Sequence, residues 1–169
     1  MDTLIPDDLI QSKIYEIRGH RVMLDKDLAV LYHVTTGNLN KAVHRNRARF
    51  PDDFMFQLTQ TEFENLIFQI GTSSWGGTRK LPYAFTEEGV AMLSGVLKSM
   101  QAIQVHVQII RIFARVRKMT LAHAELLLRL DELERQAGMH DADIQRIFEA
   151  LKQLLYQPNP PRPQIGFKH

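Results

Sequence analysis

The sequence predicts an α+β fold: a small helix-turn-helix-containing domain with β-hairpins, followed by a C-terminal helical hairpin or coiled-coil arm. Three observations predict it. Short alternating runs flank a glycine turn, as a hairpin requires. Two helical patterns, DKDLAVLYHV and NLNKAVHRNRARF, are separated only by TTG. Beyond Met119 leucines recur at steps of four and three among charged residues, the spacing of a helical seam.

In residues 14–24, IYEIRGHRVML, Ile14, Glu16 and Arg18 alternate with Tyr15 and Ile17 before Gly19-His20, which predicts a hairpin turning at the glycine. Asp25 stands where an N-cap belongs, ahead of Leu28, Leu31 and Tyr32 at helical spacing. Thr35 or Thr36 can cap the next helix by accepting an orphan backbone N–H. Phe50-Pro51 ends it, because proline disfavours helical geometry in the residue before it. Residues 53–58 alternate as a strand, and Thr59 with Glu62 forms a capping box for a helix through Phe63, Leu66 and Ile67. GTSSWGGTRKLPYAF reads as a long loop or extended hairpin. Thr86 with Glu87 and Glu88 suits a helix start. Two helices are expected at 87–98 and 100–118, the second capped by Ser99.

The tail of the chain differs. Leu126, Leu130, Leu133 and Ala137, then Ile144, Phe148, Leu151 and Leu155, define two short amphipathic helices. They predict a hairpin or stalk at 120–156 through which the protein forms a homo-oligomer. Residues 157–169, QPNPPRPQIGFKH, hold four prolines and are expected to be disordered. The expected domains are therefore an N-terminal extension at 1–11, a folded domain at 12–118, the arm at 120–156 and the tail at 157–169.

Of the 169 residues 44% are hydrophobic, enough for one core plus an appendage. With no cysteine, a disulfide framework and thiol chemistry are excluded, and a cytoplasmic location is the expectation. The acidic start, MDTLIPDDLI, does not read as a signal peptide, and polar residues interrupt Val90 to Val116, so no membrane span is expected. The net charge of +2 conceals segregation: residues 12–119 carry 15 Lys and Arg against 9 acids, and residues 120–156 carry 4 against 7. A basic body beside an acidic arm favours a polyanionic partner for the body.

That charge is concentrated in residues 35–49, TTGNLNKAVHRNRAR, which hold four Lys or Arg, one His and no acid. On a helical wheel Leu39, Ala42, Val43 and Asn46 share one side. Gly37, Lys41, His44 and Ala48 lie opposite, with Asn40 and Arg45 between. The apolar side can pack on Leu28 and Leu31, leaving amide, imidazole and cationic groups outward. This is the layout of a helix-turn-helix unit whose second helix enters the major groove. Lys and Arg can donate to guanine O6 and N7, and Asn can bond adenine bidentately. The expected base readers are Asn38, Asn40, Lys41, His44 and Arg45; Arg47, Arg49, Arg79 and Lys80 are expected on phosphates.

The succession IRGHRVMLDKDLAVLYHVTTGNLNKAVHRNRARFPDDFMFQLT, GTRKLPYAFTEEGVAMLSGVLKS and AIQVHVQIIRIFARVR resembles the KilA-N group of phage-associated DNA-binding domains, in particular its ORF-six-N-type branch. The likeness covers about residues 12–118. Leu39, Asn40, Val43, Arg45, Asn46, Phe50, Pro51, Phe54 and Phe56 match the family's central stretch; His33 and Gly37 depart from it. The resemblance implies a small α+β module that binds double-stranded DNA in phage or bacterial regulators, or in antirepressor-like proteins, with no catalytic residues to carry over.

Other motifs have plainer explanations. GTSSWGGTRK lacks the GxxxxGK[ST] pattern of a phosphate loop, although Arg79, Lys80 and Trp75 could form a wing against DNA. The seven histidines are scattered without metal-ligand spacing, so no metal or cofactor is expected. Asp52-Asp53 and Glu87-Glu88 could suggest the converging carboxylates of a nuclease, but a turn and a helix start account for them. The chain is read as a non-enzyme. The competing reading is a protein-interaction module that works through the leucine seams, with an incidental basic surface.

Overall fold

Two residues with positive φ, Arg18 (55°) and Gly19 (72°), close the first hairpin. Left-handed geometry at both central positions matches the right-handed twist of the flanking strands. Arg18 lacks glycine's freedom there, but its guanidinium is held by Glu62 at 2.6 Å and lies 4.3 Å from the Phe56 ring centroid.

A computed structural model of the chain describes residues 5–70, 80–97, 99–137 and 142–156. The elements run α1 (Asp7–Gln11), β1 (Tyr15–Ile17), β2 (His20–Leu24), α2 (Asp25–Leu31), α3 (Thr36–Arg45), a single 3-10 turn (Arg47–Arg49), β3 (Met55–Gln57), α4 (Gln60–Ile70), β4 (Tyr83–Thr86), α5 (Glu87–Leu93), α6 (Met100–Ala137) and α7 (Ala142–Tyr156). The fold is α+β: a four-stranded antiparallel sheet with helices, then a long helix and another helix.

The sheet order is β1-β2-β4-β3, with Met23 opposite Phe85 and Met55 also opposite Phe85. Because side chains alternate along a strand, the sheet buries both faces. Met23, Met55 and Phe85 point toward a core shared with α1, α2, α3, α5 and the first turns of α6. Val22, Leu24 and Ala84 point the other way, onto Phe63 and Leu66 of α4.

Caps set several helix starts where the sequence places them. Thr59 and Glu62 make the reciprocal capping box, Glu62 accepting from the Thr59 N–H at 2.8 Å and Thr59 Oγ1 from the Glu62 N–H at 3.3 Å. Thr86 Oγ1 accepts from the Gly89 N–H at 3.3 Å, and Ser99 Oγ from the Ala102 N–H at 3.1 Å. Gly89 is fixed by packing: a Cβ there would sit 2.0 Å from the Phe54 carbonyl oxygen.

Several expectations are corrected. The stretch expected as a long loop or extended hairpin, residues 71–85, runs at its end into Tyr83–Thr86, an inner strand of the sheet. The helix expected at 87–98 ends at Leu93. The helix expected at 100–118 continues unbroken to Ala137, because no glycine or proline interrupts it. Asp25 is not an N-cap but the first helical residue, after Leu24. Within the segment expected as an N-terminal extension, Ile10 is fully buried in the core, and Asp7 bonds Gln108 and Arg115 of α6. Residues 71–79 and 157–169, read as part of a loop and as a tail, lie outside the described residues.

The chain divides into two compact units, Met1–Val116 and Arg117–His169. Within the second unit, α7 lies along the last turns of α6, joined by Lys152 to Asp131 at 2.7 Å and to Glu134, and Leu130 of α6 is buried. Both carboxylates raise the Lys152 pKa.

Candidate nucleic-acid interface

The turn between α2 and α3 is built from backbone geometry. His33 has φ 54°, in the left-handed region. Its N–H donates to the Val30 carbonyl at 3.1 Å, and the Val34 N–H to the Ala29 carbonyl at 2.9 Å. That pair of bonds is a Schellman motif, with histidine where glycine is usual. Val34 packs against the core, as the residue after such a cap commonly does. Thr35 then caps α3, its Oγ1 accepting from the Asn38 N–H at 3.2 Å. Three residues thus separate the end of one helix from the cap of the next, so their relative angle is tightly set.

Leu39 and Val43 anchor α3, both essentially inaccessible, against Leu28 and Leu31. Burying such side chains contributes about 1.5–3 kcal/mol each. With that side buried, Gly37, Asn38, Lys41, His44, Arg45 and Ala48 are exposed together. Lys41 and Arg45 have no ion pair among the described residues. The rings of His44 and Tyr83 of β4 form a T-shaped pair, 5.7 Å between centroids at 82°. Tyr83 is a member of this surface that the sequence reading missed, because it lay in what looked like loop.

Asn40 departs from the expected row of readers. Its Nδ2 donates to Asp25 Oδ2 at 2.8 Å, and its Oδ1 is buried without a partner among the described residues. Asp25 is itself buried, accepts the Lys26 N–H at 2.8 Å, and is also bonded by the backbone of Tyr83. Burial raises its pKa, against the lowering effect of those bonds. Asp25 therefore links the start of α2, the middle of α3 and the strand β4. Asn40 supports the surface from behind and does not present its amide on it.

The acids that flank α3 in sequence, Asp27 and Asp52, are each paired with another residue. Asp27 is buried and bonded to Tyr15 at 3.2 Å and Lys13 at 3.3 Å. Burial pushes the neighbouring Lys26 down to about 8. Asp52 pairs with Arg47 at 3.1 Å, and Arg47 also donates to the Phe50 carbonyl at 2.9 Å, so this expected phosphate ligand is already engaged. Arg49 is exposed, and its Nη1 lies 2.3 Å from where a Cβ on Gly95 would stand. Lys80 is exposed; Arg79 and Trp75 lie outside the described residues. No group of three His, Asp or Glu among the described residues could hold a metal ion. No helix among them is long and apolar enough to cross a membrane.

What remains is a two-helix unit on a sheet, its outer helix cationic and its flanking acids paired. The family model of the ORF6N domain matches residues 12–96. The chain belongs to the ORF6N domain family. The match runs from the residue after α1 to just past α5, so the whole two-helix unit and sheet are inside it, while residues 97–118 of the expected likeness lie beyond it. ORF6N is related to the KilA-N domains of phages and bacteria, which suggests a regulatory protein of phage or bacterial type. No curated protein and no solved structure matches the chain.

Proposed function

We propose that this ORF6N protein is a KilA-N-type, sequence-specific double-stranded DNA-binding protein. It acts as a transcriptional regulator or antirepressor-like protein by occupying its site, without catalysis. The observation that carries the reading is the exposed face of α3: Asn38, Lys41, His44 and Arg45 stand together with no acid among them. A solvated helix gains from opposite charges three or four residues apart, and α3 forgoes them. Phosphates and base edges would complete it. Lys41 and Arg45 suit guanine, Asn38 suits adenine, and His44, steadied by Tyr83, adds a donor or acceptor set by its tautomer. Arg49 and Lys80 would meet the flanking backbone. Duplex DNA is favoured over duplex RNA, whose major groove is too narrow for a helix.

The test is selection of bound sequences from a random duplex pool, followed by gel-shift titration of the preferred site. Lys41→Ala with Arg45→Ala is expected to weaken binding by several kcal/mol, at ~1–3 kcal/mol per good base contact. Both residues are exposed, so the thermal melt of the variant should match the parent. Binding unchanged by the double substitution would refute the assignment.

A further inference from the structure

The second unit carries a face that its own two helices leave uncovered. On α6, Met119, Leu126 and Leu133 recur every seven residues and are each more than half exposed. On α7, Ile144, Ile147, Leu151 and Leu154 form a second row, exposed by 37%, 60%, 42% and 69%. The side of each helix that meets the other is fixed by Lys152 against Asp131 and Glu134 and by buried Leu130. At 3.6 residues per turn, the exposed rows lie about a quarter turn from those contacts on both helices. The helices are antiparallel, so these quarter turns lead to the same side of the hairpin. The rows therefore adjoin as one apolar face over Leu126 and Leu133, and Met119 continues the α6 row beyond the end of α7.

We infer that this face is the self-association surface of the protein. A second copy stacks on it through a two-fold axis to complete a four-helix bundle. The width of the apolar surface supports a bundle: α7 is apolar over about a third of its circumference, as core-facing helices are, whereas a coiled-coil seam is narrower. The scale fits as well. Rows about 15–20 Å long, at 1.5 Å per residue, on two helices about 8–10 Å apart, give each copy a footprint of about 300–400 Å², the scale of a small, reversible interface. Charge identifies the occupant. The outer edge of the α6 row mixes signs, with Glu125 paired to Arg129 at 2.7 Å and Glu132 beside them. A symmetry-related copy can meet such an edge with opposite signs, whereas an anionic membrane or a polyanion would require a basic one. The chain's own last residues, 157–169, offer only Ile165 and Phe167 as large apolar groups against seven uncovered ones.

This inference does not rest on DNA binding, and its test is the oligomeric state of the full-length protein by sedimentation equilibrium without DNA. The parent is expected to be dimeric at micromolar concentration, and Ile147→Glu with Leu154→Glu to be monomeric, its midpoint concentration raised at least 100-fold. Circular dichroism should show the helices retained, since both side chains are largely exposed. Leu121→Glu with Leu128→Glu, exposed by 66% and 70% on the far side of α6, should remain dimeric. A monomeric parent, an Ile147/Leu154 variant as dimeric as the parent, or equal dissociation by the Leu121/Leu128 variant would each overturn the inference. So would a parent that is monomeric in solution but binds vesicles of anionic lipid.

Discussion

Helices α3 and α7 are built on opposite plans. In α3 the apolar residues Leu39 and Val43 are hidden, and Lys41 and Arg45 stand outside without counter-ions among the described residues. In α7 the lysine, Lys152, is neutralised by two carboxylates of α6, and Ile147 and Leu154 stand outside. Each helix satisfies internally what the other leaves open. What a surface lacks indicates the class of its partner: missing counter-charge calls for a polyanion, and missing apolar cover calls for another apolar face.

Salt separates the two most strongly. A duplex held through about five phosphates should lose affinity with a log–log slope of about −4.5, which is about 500-fold between 50 and 200 mM salt. Self-association through the apolar face should be nearly constant over that range, as read by sedimentation. Equal salt dependence in both assays would erase the contrast. A smaller effect tests the support behind α3. Asn40→Ala leaves the buried Asp25 carboxylate without that donor, and a hydrogen bond to a charged group contributes about 1.5–3 kcal/mol. Loss of the unpartnered Oδ1 offsets part of this, so urea unfolding should show about 1–2 kcal/mol lost. The exposed Lys41/Arg45 variant should show almost none, and the helices of the second unit should be unaffected.

The smallest effect concerns acid. Glu62 is lowered from 4.5 to about 2, first by its bond to Arg18 and then by the Thr59 N–H. A depressed carboxyl stabilises the fold fully above its unfolded value, and that contribution is lost as pH falls through the folded value. Stability should therefore decline between about pH 4.5 and 2, and Glu62→Gln should flatten that part of the melting profile. Asp25 has the opposite sign: its raised pKa makes its charged form a cost at neutral pH, so its protonation offsets some of the acid loss.

Local chemistry made much of this legible in advance. The Thr59–Glu62 box, the caps at Thr35, Thr86 and Ser99, and the burial of Leu39 and Val43 all follow from short-range rules, and the structure has each of them. Non-local features were harder. Strand β4 pairs with β2, some sixty residues earlier, and sits behind a glycine-rich stretch that masks it. The helical wheel puts Asn40 on a flank, and only the burial of Asp25, a tertiary outcome, turns its amide inward. The end of the basic segment looked like a break at Met119, but a change in pattern without glycine or proline does not stop a helix.

The Asp25 carboxylate has a consequence for how such a protein diversifies. The one carboxylate ties together the beginning of α2, the centre of α3 and the backbone of Tyr83. Asn38, Lys41 and Arg45 take no part in that clasp through their side chains. Their exchange, one at a time, is expected to leave the frame that holds them as it is.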